Sequence, residues 1–89
     1  MFMSDSKFAE YQKQKIERMA FDLEKVIGKT GSDNHSPTLR SKLVSIDIQK
    51  GTCILEITPS DYFQFGDDTS DIGKTYEQSM EIVHNGYFY

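Results

Sequence analysis

Apolar residues follow two different rhythms along this chain. Ile16, Met19, Ala20, Leu23, Val26 and Ile27 recur at intervals of three and four, the spacing that puts a stripe on one face of a helix. Phe8 and Tyr11 precede them, with Gln12 where the stripe should continue. The spacing predicts a helix from about Ser6 to Ile27. Ser4 or Ser6 caps its start, Gly28 supplies the left-handed residue that ends it, and Lys25 and Lys29 lie near the negative end of its dipole. Its 22 residues span about 33 Å, whereas a compact domain of 89 residues is only about 30 Å across. The helix must cross the whole domain or overshoot it, and its first two turns are placed to meet a partner. Phe21 falls off the stripe.

The rhythm changes to two at Val44. Val44, Ile46 and Ile48 alternate with Ser45, Asp47 and Gln49, and Cys53, Leu55 and Ile57 alternate with Ile54, Glu56 and Thr58. Between them Lys50-Gly51 reads as a two-residue turn, with glycine where φ must be positive. This predicts an antiparallel hairpin with one buried face, Leu43 and Ile54 lying on the other. The stretch from Gly28 to Ser41 has loop composition. Pro59 ends the hairpin, and Tyr62-Phe63-Gln64-Phe65 is a candidate short third strand. Gly66 to Asp71 reads as an acidic turn opening a second helix, capped by Thr69 or Ser70, striped by Ile72, Tyr76, Met80 and Val83, and stopped by Asn85-Gly86. The expected fold class is α+β, in the order α-β-β-(β)-α, as one domain over residues 1–89.

Composition sharpens this picture. Hydrophobic residues make up 37%, low for a globular protein, which favours a small core helped by a second copy of the chain. Phe8, Tyr11 and Phe21 are the residues expected at that dimer interface. Charge is unevenly spread: residues 61–89 hold six acids against the single base Lys74, and seven of the eleven aromatics. Acidic groups steer a basic partner, and tyrosine and phenylalanine supply contact area. The partner-binding residues expected from this are Asp61, Tyr62, Asp67, Asp68, Asp71, Tyr76, Tyr87, Phe88 and Tyr89. A net charge of −4 argues against direct nucleic-acid binding, which needs clustered lysine and arginine. No run of residues approaches a membrane span or a signal peptide, and a single cysteine, Cys53, fits a reducing compartment and a core position. The expected location is cytoplasmic.

Candidate chemistry is sparse. Gly28-Lys29-Thr30 and Gly73-Lys74-Thr75 resemble the end of a phosphate-binding loop, but Leu23 and Asp68 stand where its first glycine belongs. Asp67, Asp68 and Asp71 lack the alternation and distal glutamate of a calcium loop. His35 and His84 have no nearby cysteine or histidine for a metal. A Cys53–histidine pair would need an exposed thiol, and paired carboxylates need a cleft that so short a chain has little room to build. The expectation is a non-enzyme without cofactor or metal.

The element order and acidic balance are similar to those of small cytoplasmic chaperones and of phage or plasmid inhibitor proteins, a likeness of architecture that no motif carries. Three functional expectations follow. The first is an acidic module that docks a basic surface of a nucleic-acid-binding protein and inhibits or regulates it, as phage anti-defence and immunity proteins do. The second is an assembly protein that oligomerises through its aromatic and helical surfaces. The third is a small-ligand domain or enzyme with a closed apolar pocket.

Overall fold

The computed structural model describes residues 5–32 and 37–88. Helix α1 covers Asp5–Glu24. Four strands follow, β1 Thr30–Ser32, β2 Leu39–Asp47, β3 Thr52–Pro59 and β4 Thr75–Ser79, and helix α2, Met80–Gly86, comes last. The strands form one antiparallel sheet in the order β1-β2-β3-β4, a meander in which each strand pairs with its neighbour in sequence. The α+β class is as expected.

Both helices lie on one face of this sheet. Met19, Ala20 and Leu23 of α1 and Met80 and Val83 of α2 close over Leu43, Cys53 and Leu55, all buried. Ile16, Val26, Ile46, Tyr76, Tyr87 and Phe88 ring that core. The α1 stripe is thus as expected from Ile16 to Leu23, whereas Ile27, expected on it, lies beyond the end of α1 and is exposed; Cys53 is a core residue whose burial pushes its thiol up to about 11. Glu24 ends the regular helix, and a tighter turn follows. Gly28, at φ +88°, donates its N–H to the Leu43 carbonyl at 2.8 Å, which fixes the helix exit to β2.

Four elements differ from the sequence pattern. The stretch from Gly28 to Ser41, read as loop, contains β1 and the start of β2, because Thr30–Ser32 finds backbone partners in Arg40–Lys42. Leu43 pairs with Leu55 but Ser45 pairs with Ile54, so Val44 is an extra residue in β2. A bulge of this kind resets which side chains face the core. Leu43 is therefore buried and Ile46 packs beside it, while Val44 and Ile48 stand exposed. Residues 48–51 form a four-residue turn rather than a two-residue one, closed by the Gly51 N–H donating to the Asp47 carbonyl at 2.9 Å; Gly51 has the positive φ expected of it, +70°. Finally, Tyr62–Phe65 is not a strand, and the second helix begins only at Met80. Thr75–Ser79 is strand instead, pairing with Thr52–Glu56. The spacing Tyr76, Gln78, Met80 fits a period of two as well as Ile72, Tyr76, Met80 fits a helix. The open edge of β3 decides between them, since an unpaired row of backbone groups is satisfied by a fourth strand.

The molecule is long and narrow, 56 × 23 × 21 Å with a radius of gyration of 15.7 Å, against about 12 Å for a compact chain of this length. Ile16 is where α1 meets the hairpin: its Cδ1 lies 3.3 Å from where a Cβ on Gly51 would stand. Residues 5–14, about 15 Å of helix, run on past the hairpin turn as an arm, Lys15 being still paired with Glu81 of α2. None of the helices in the described residues is long and apolar enough to cross a membrane.

Candidate functional site

At the end of the sheet opposite the arm, β3 and β4 are joined by residues 60–74. This connection is long for a hairpin, yet its own polar groups fasten it. Ser60 ties its base to the neighbouring chain, the N–H donating to the Thr38 carbonyl at 2.9 Å and the hydroxyl to the Pro37 carbonyl at 2.8 Å. The same hydroxyl accepts from the Tyr62 N–H at 3.1 Å. At the other base, the Gly73 N–H donates to the Ile57 carbonyl and the Ile57 N–H to the Lys74 carbonyl, both at 2.9 Å.

The tip is built from two aspartate-closed turns. Asp67 donates its N–H to the Gln64 carbonyl at 3.0 Å, while its carboxylate accepts the Gln64 N–H at 2.8 Å. Phe65 and Gly66 occupy the centre of that turn, and Gly66, at φ +99°, meets the positive φ that such a turn asks of its third residue. Asp68 accepts the Ser70 N–H at 2.9 Å. That backbone hydrogen bond, then the Ser70 hydroxyl and the charge of Lys74, hold the Asp68 carboxyl below the usual aspartate value. Asp71 and Lys74 make an exposed ion pair at 3.4 Å.

The result is an ordered acidic face with two aromatic rings standing on it. Phe65 is fully exposed and Tyr62 is 75% exposed, while Phe63 and Ile72 turn partly inward. Asp61, Tyr62, Asp67, Asp68 and Asp71 are brought together here. The exposure of Phe65 was not legible because its alternation with Phe63 reads as a strand; the signal for it was the adjoining Gly66-Asp67, a turn pair.

The remaining expected contact residues lie elsewhere. The Tyr76 hydroxyl is 2.6 Å from the buried Ser41 Oγ and 3.4 Å from the Tyr87 hydroxyl. Tyr87 and Phe88 pack against the core, and Phe88 reaches so close to Gly31 that a Cβ there would stand 3.1 Å from its ring. These three aromatics are half-buried structural groups, not part of the exposed acidic face. Tyr89 and His35 lie outside the described residues. Of the expected dimer residues, Phe8 and Tyr11 are exposed on the arm. Phe21 is also exposed, but it sits about 140° round the helix from Phe8, under the Lys25 ammonium at 4.5 Å.

Two open grooves flank α1. One, of about 200 Å³, lies between α1 and α2, where the Lys15–Glu81 and His84–Asp22 pairs at 3.2 and 2.9 Å bridge the helices. The other lies between the arm and the hairpin turn. Among the described residues no three His, Cys, Asp or Glu side chains are grouped to hold a metal. No family model, characterised protein or solved structure matches the chain.

Proposed function

We propose that this chain is a protein-binding module whose loop of residues 60–74 docks a basic surface of a partner protein and, where that surface binds nucleic acid, blocks it. The observation that carries this reading is the exposure of Phe65 and Tyr62 on a loop fastened by its own aspartates. Two exposed rings on one loop offer the kind of contact area that interfaces use, and a loop already ordered loses little entropy on binding. Asp61, Asp67, Asp68 and Asp71 steer the encounter, and the two rings supply the central contact.

Asp67 and Asp68 also hold the loop together, so reversing their charge disturbs shape and field at once. Asp61 and Phe65 take no part in the loop's hydrogen bonds, which makes Asp61→Lys and Phe65→Ala the cleaner probes. Immobilised protein is exposed to a lysate of its source cell, and bound protein is released by salt, which shortens electrostatic reach from about 10 Å at 0.1 M to about 3 Å at 1 M. The expected result is one basic protein that high salt releases, that both variants fail to capture, and whose affinity for nucleic acid falls when wild-type protein is added. Capture that is indifferent to salt and to both variants refutes the reading.

A further inference from the structure

The arm poses a separate question, because Phe8 and Tyr11 stand exposed on it with nothing covering them among the described residues. Phe8 and Gln12 continue the line of Met19, Leu23 and Val26 along the helix, but they lie beyond the sheet that covers those residues. Phe8 is 54% and Tyr11 52% exposed, and across the gap Ile48 of the hairpin turn is 45% exposed. Arm and turn form the two walls of a notch of about 480 Å³, lined by Ala9, Gln12, Lys13, Ile16, Ile48 and Gln49.

We infer that this notch is filled by the arm of a second copy of the chain, the two α1 helices crossing antiparallel with a two-fold axis at Gln12. The patch carries both a knob and a hole. Phe8 projects from the arm, and the hollow between Ile16 and Ile48 lies two turns further along, about 12 Å away. An isologous interface requires this self-complementarity. In the antiparallel register centred on Gln12, Phe8 of each copy is level with Ile16 of the other and enters the notch beside Ile48. The small Ala9 lets the helices approach on that flank. On the other flank the two Tyr11 rings meet near the axis, an arrangement that favours aromatic contact, while each Lys15 stays paired with Glu81 of its own chain.

The polar break in the stripe fits this register. An amide is both donor and acceptor, so Gln12 on the axis pairs with Gln12 of the second copy. Charge does not oppose a second copy at this end. Residues 5–18 hold four bases and three acids, whereas the whole chain carries −4. Two arms therefore meet without the repulsion that two acidic loops would bring. Phe21 faces away from the pair and is no part of it.

The test is the solution mass of the full chain over a range of concentrations, with Phe8→Glu, Phe21→Glu and two cysteine variants. Phe8 lies outside the core, so Phe8→Glu should fold, with the circular dichroism spectrum of wild-type. The expected result is a dimer that Phe8→Glu weakens at least about tenfold, the effect of removing a central contact, and that Phe21→Glu leaves intact. A residue on the axis is its own neighbour, so Gln12→Cys should give a disulfide-linked dimer on mild oxidation and Phe21→Cys should not; the native Cys53 is buried and does not interfere. A wild-type chain that stays monomeric up to about 1 mM, the weak end of specific association, overturns the proposal. So does a dimer that Phe8→Glu leaves unchanged, or cross-linking through Phe21→Cys in preference to Gln12→Cys. A monomer whose Phe8 becomes protected only on addition of another protein assigns the notch to that partner instead and overturns self-pairing equally.

Discussion

Replacing Gly31 with alanine tests whether Tyr87 and Phe88 belong to the core or to a docking surface. Gly31 lies in β1 opposite Ser41, beneath the end of the chain. A Cβ at this position would stand 2.3 Å from the Tyr87 carbonyl oxygen and 3.1 Å from the Phe88 ring. Ordinary contact begins near 3.4 Å, so the backbone of Tyr87 must retreat by about 1 Å. It has little freedom to do so. The Tyr87 N–H closes α2 on the Val83 carbonyl at 3.1 Å, and its hydroxyl approaches that of Tyr76, which in turn reaches Ser41. Overpacking of this kind costs about 1–3 kcal/mol. At about 4–8 °C per kcal/mol for a domain of this size, the melting temperature should fall by about 4–24 °C. Thermal unfolding followed by circular dichroism reads this directly. Gly86→Ala is the matched control: nothing lies within 4 Å of its added Cβ and it sits in α2, so it should be neutral or stabilising by up to about 1 kcal/mol. If Gly31→Ala melts like wild-type, Tyr87 and Phe88 are not packed against β1. The terminal aromatics would then return to the set of residues available to a partner.

Other expectations can be checked alongside. Tyr76→Phe removes the 2.6 Å contact to the buried Ser41 hydroxyl and should cost about 1 kcal/mol, measured by denaturant unfolding. Cys53 should react with thiol reagents only as the protein unfolds. Because its folded thiol titrates at about 11 rather than 9, it contributes stability that is fully present below pH 9 and lost as pH rises towards 11; unfolding midpoints that do not fall across that interval more in wild-type than in Cys53→Ala would refute this. Phe65→Ala should leave stability within about 0.5 kcal/mol of wild-type, since the ring is fully exposed and surface changes seldom exceed that. A larger loss would mean that the ring packs within the loop and is not held out for a partner.

Local pattern carried much of this protein. The spacing of Ile16, Met19, Ala20 and Leu23 determined the face of α1 that enters the core, and the glycines at 28 and 51 marked its exit and the hairpin turn, because both signals act within one turn of chain. Cys53 and Leu55 were legible as core for the same reason. The clustering of acids and aromatics beyond residue 60 was also visible, but not which of its rings are exposed. Tyr62 and Phe65 stand out while Tyr76, Tyr87 and Phe88 turn in, and that division depends on Ser41 and Gly31, far away in sequence.

Tertiary structure decided the rest wherever a residue's role depends on a partner strand or a surface distant along the chain. The bulge at Val44 appears only when β2 is laid against β3, and it moves Leu43 into the core. Thr75–Ser79 satisfies a helical and an extended rhythm alike, and the unpaired edge of β3 selects the strand. The helix length announced an overshoot, but only the packing of Ile16 against Gly51 shows where the arm leaves the sheet. Side-chain periodicity reports what each residue prefers locally; which backbone groups still need a hydrogen bond, and which apolar surfaces still need cover, is settled only once the whole chain has folded.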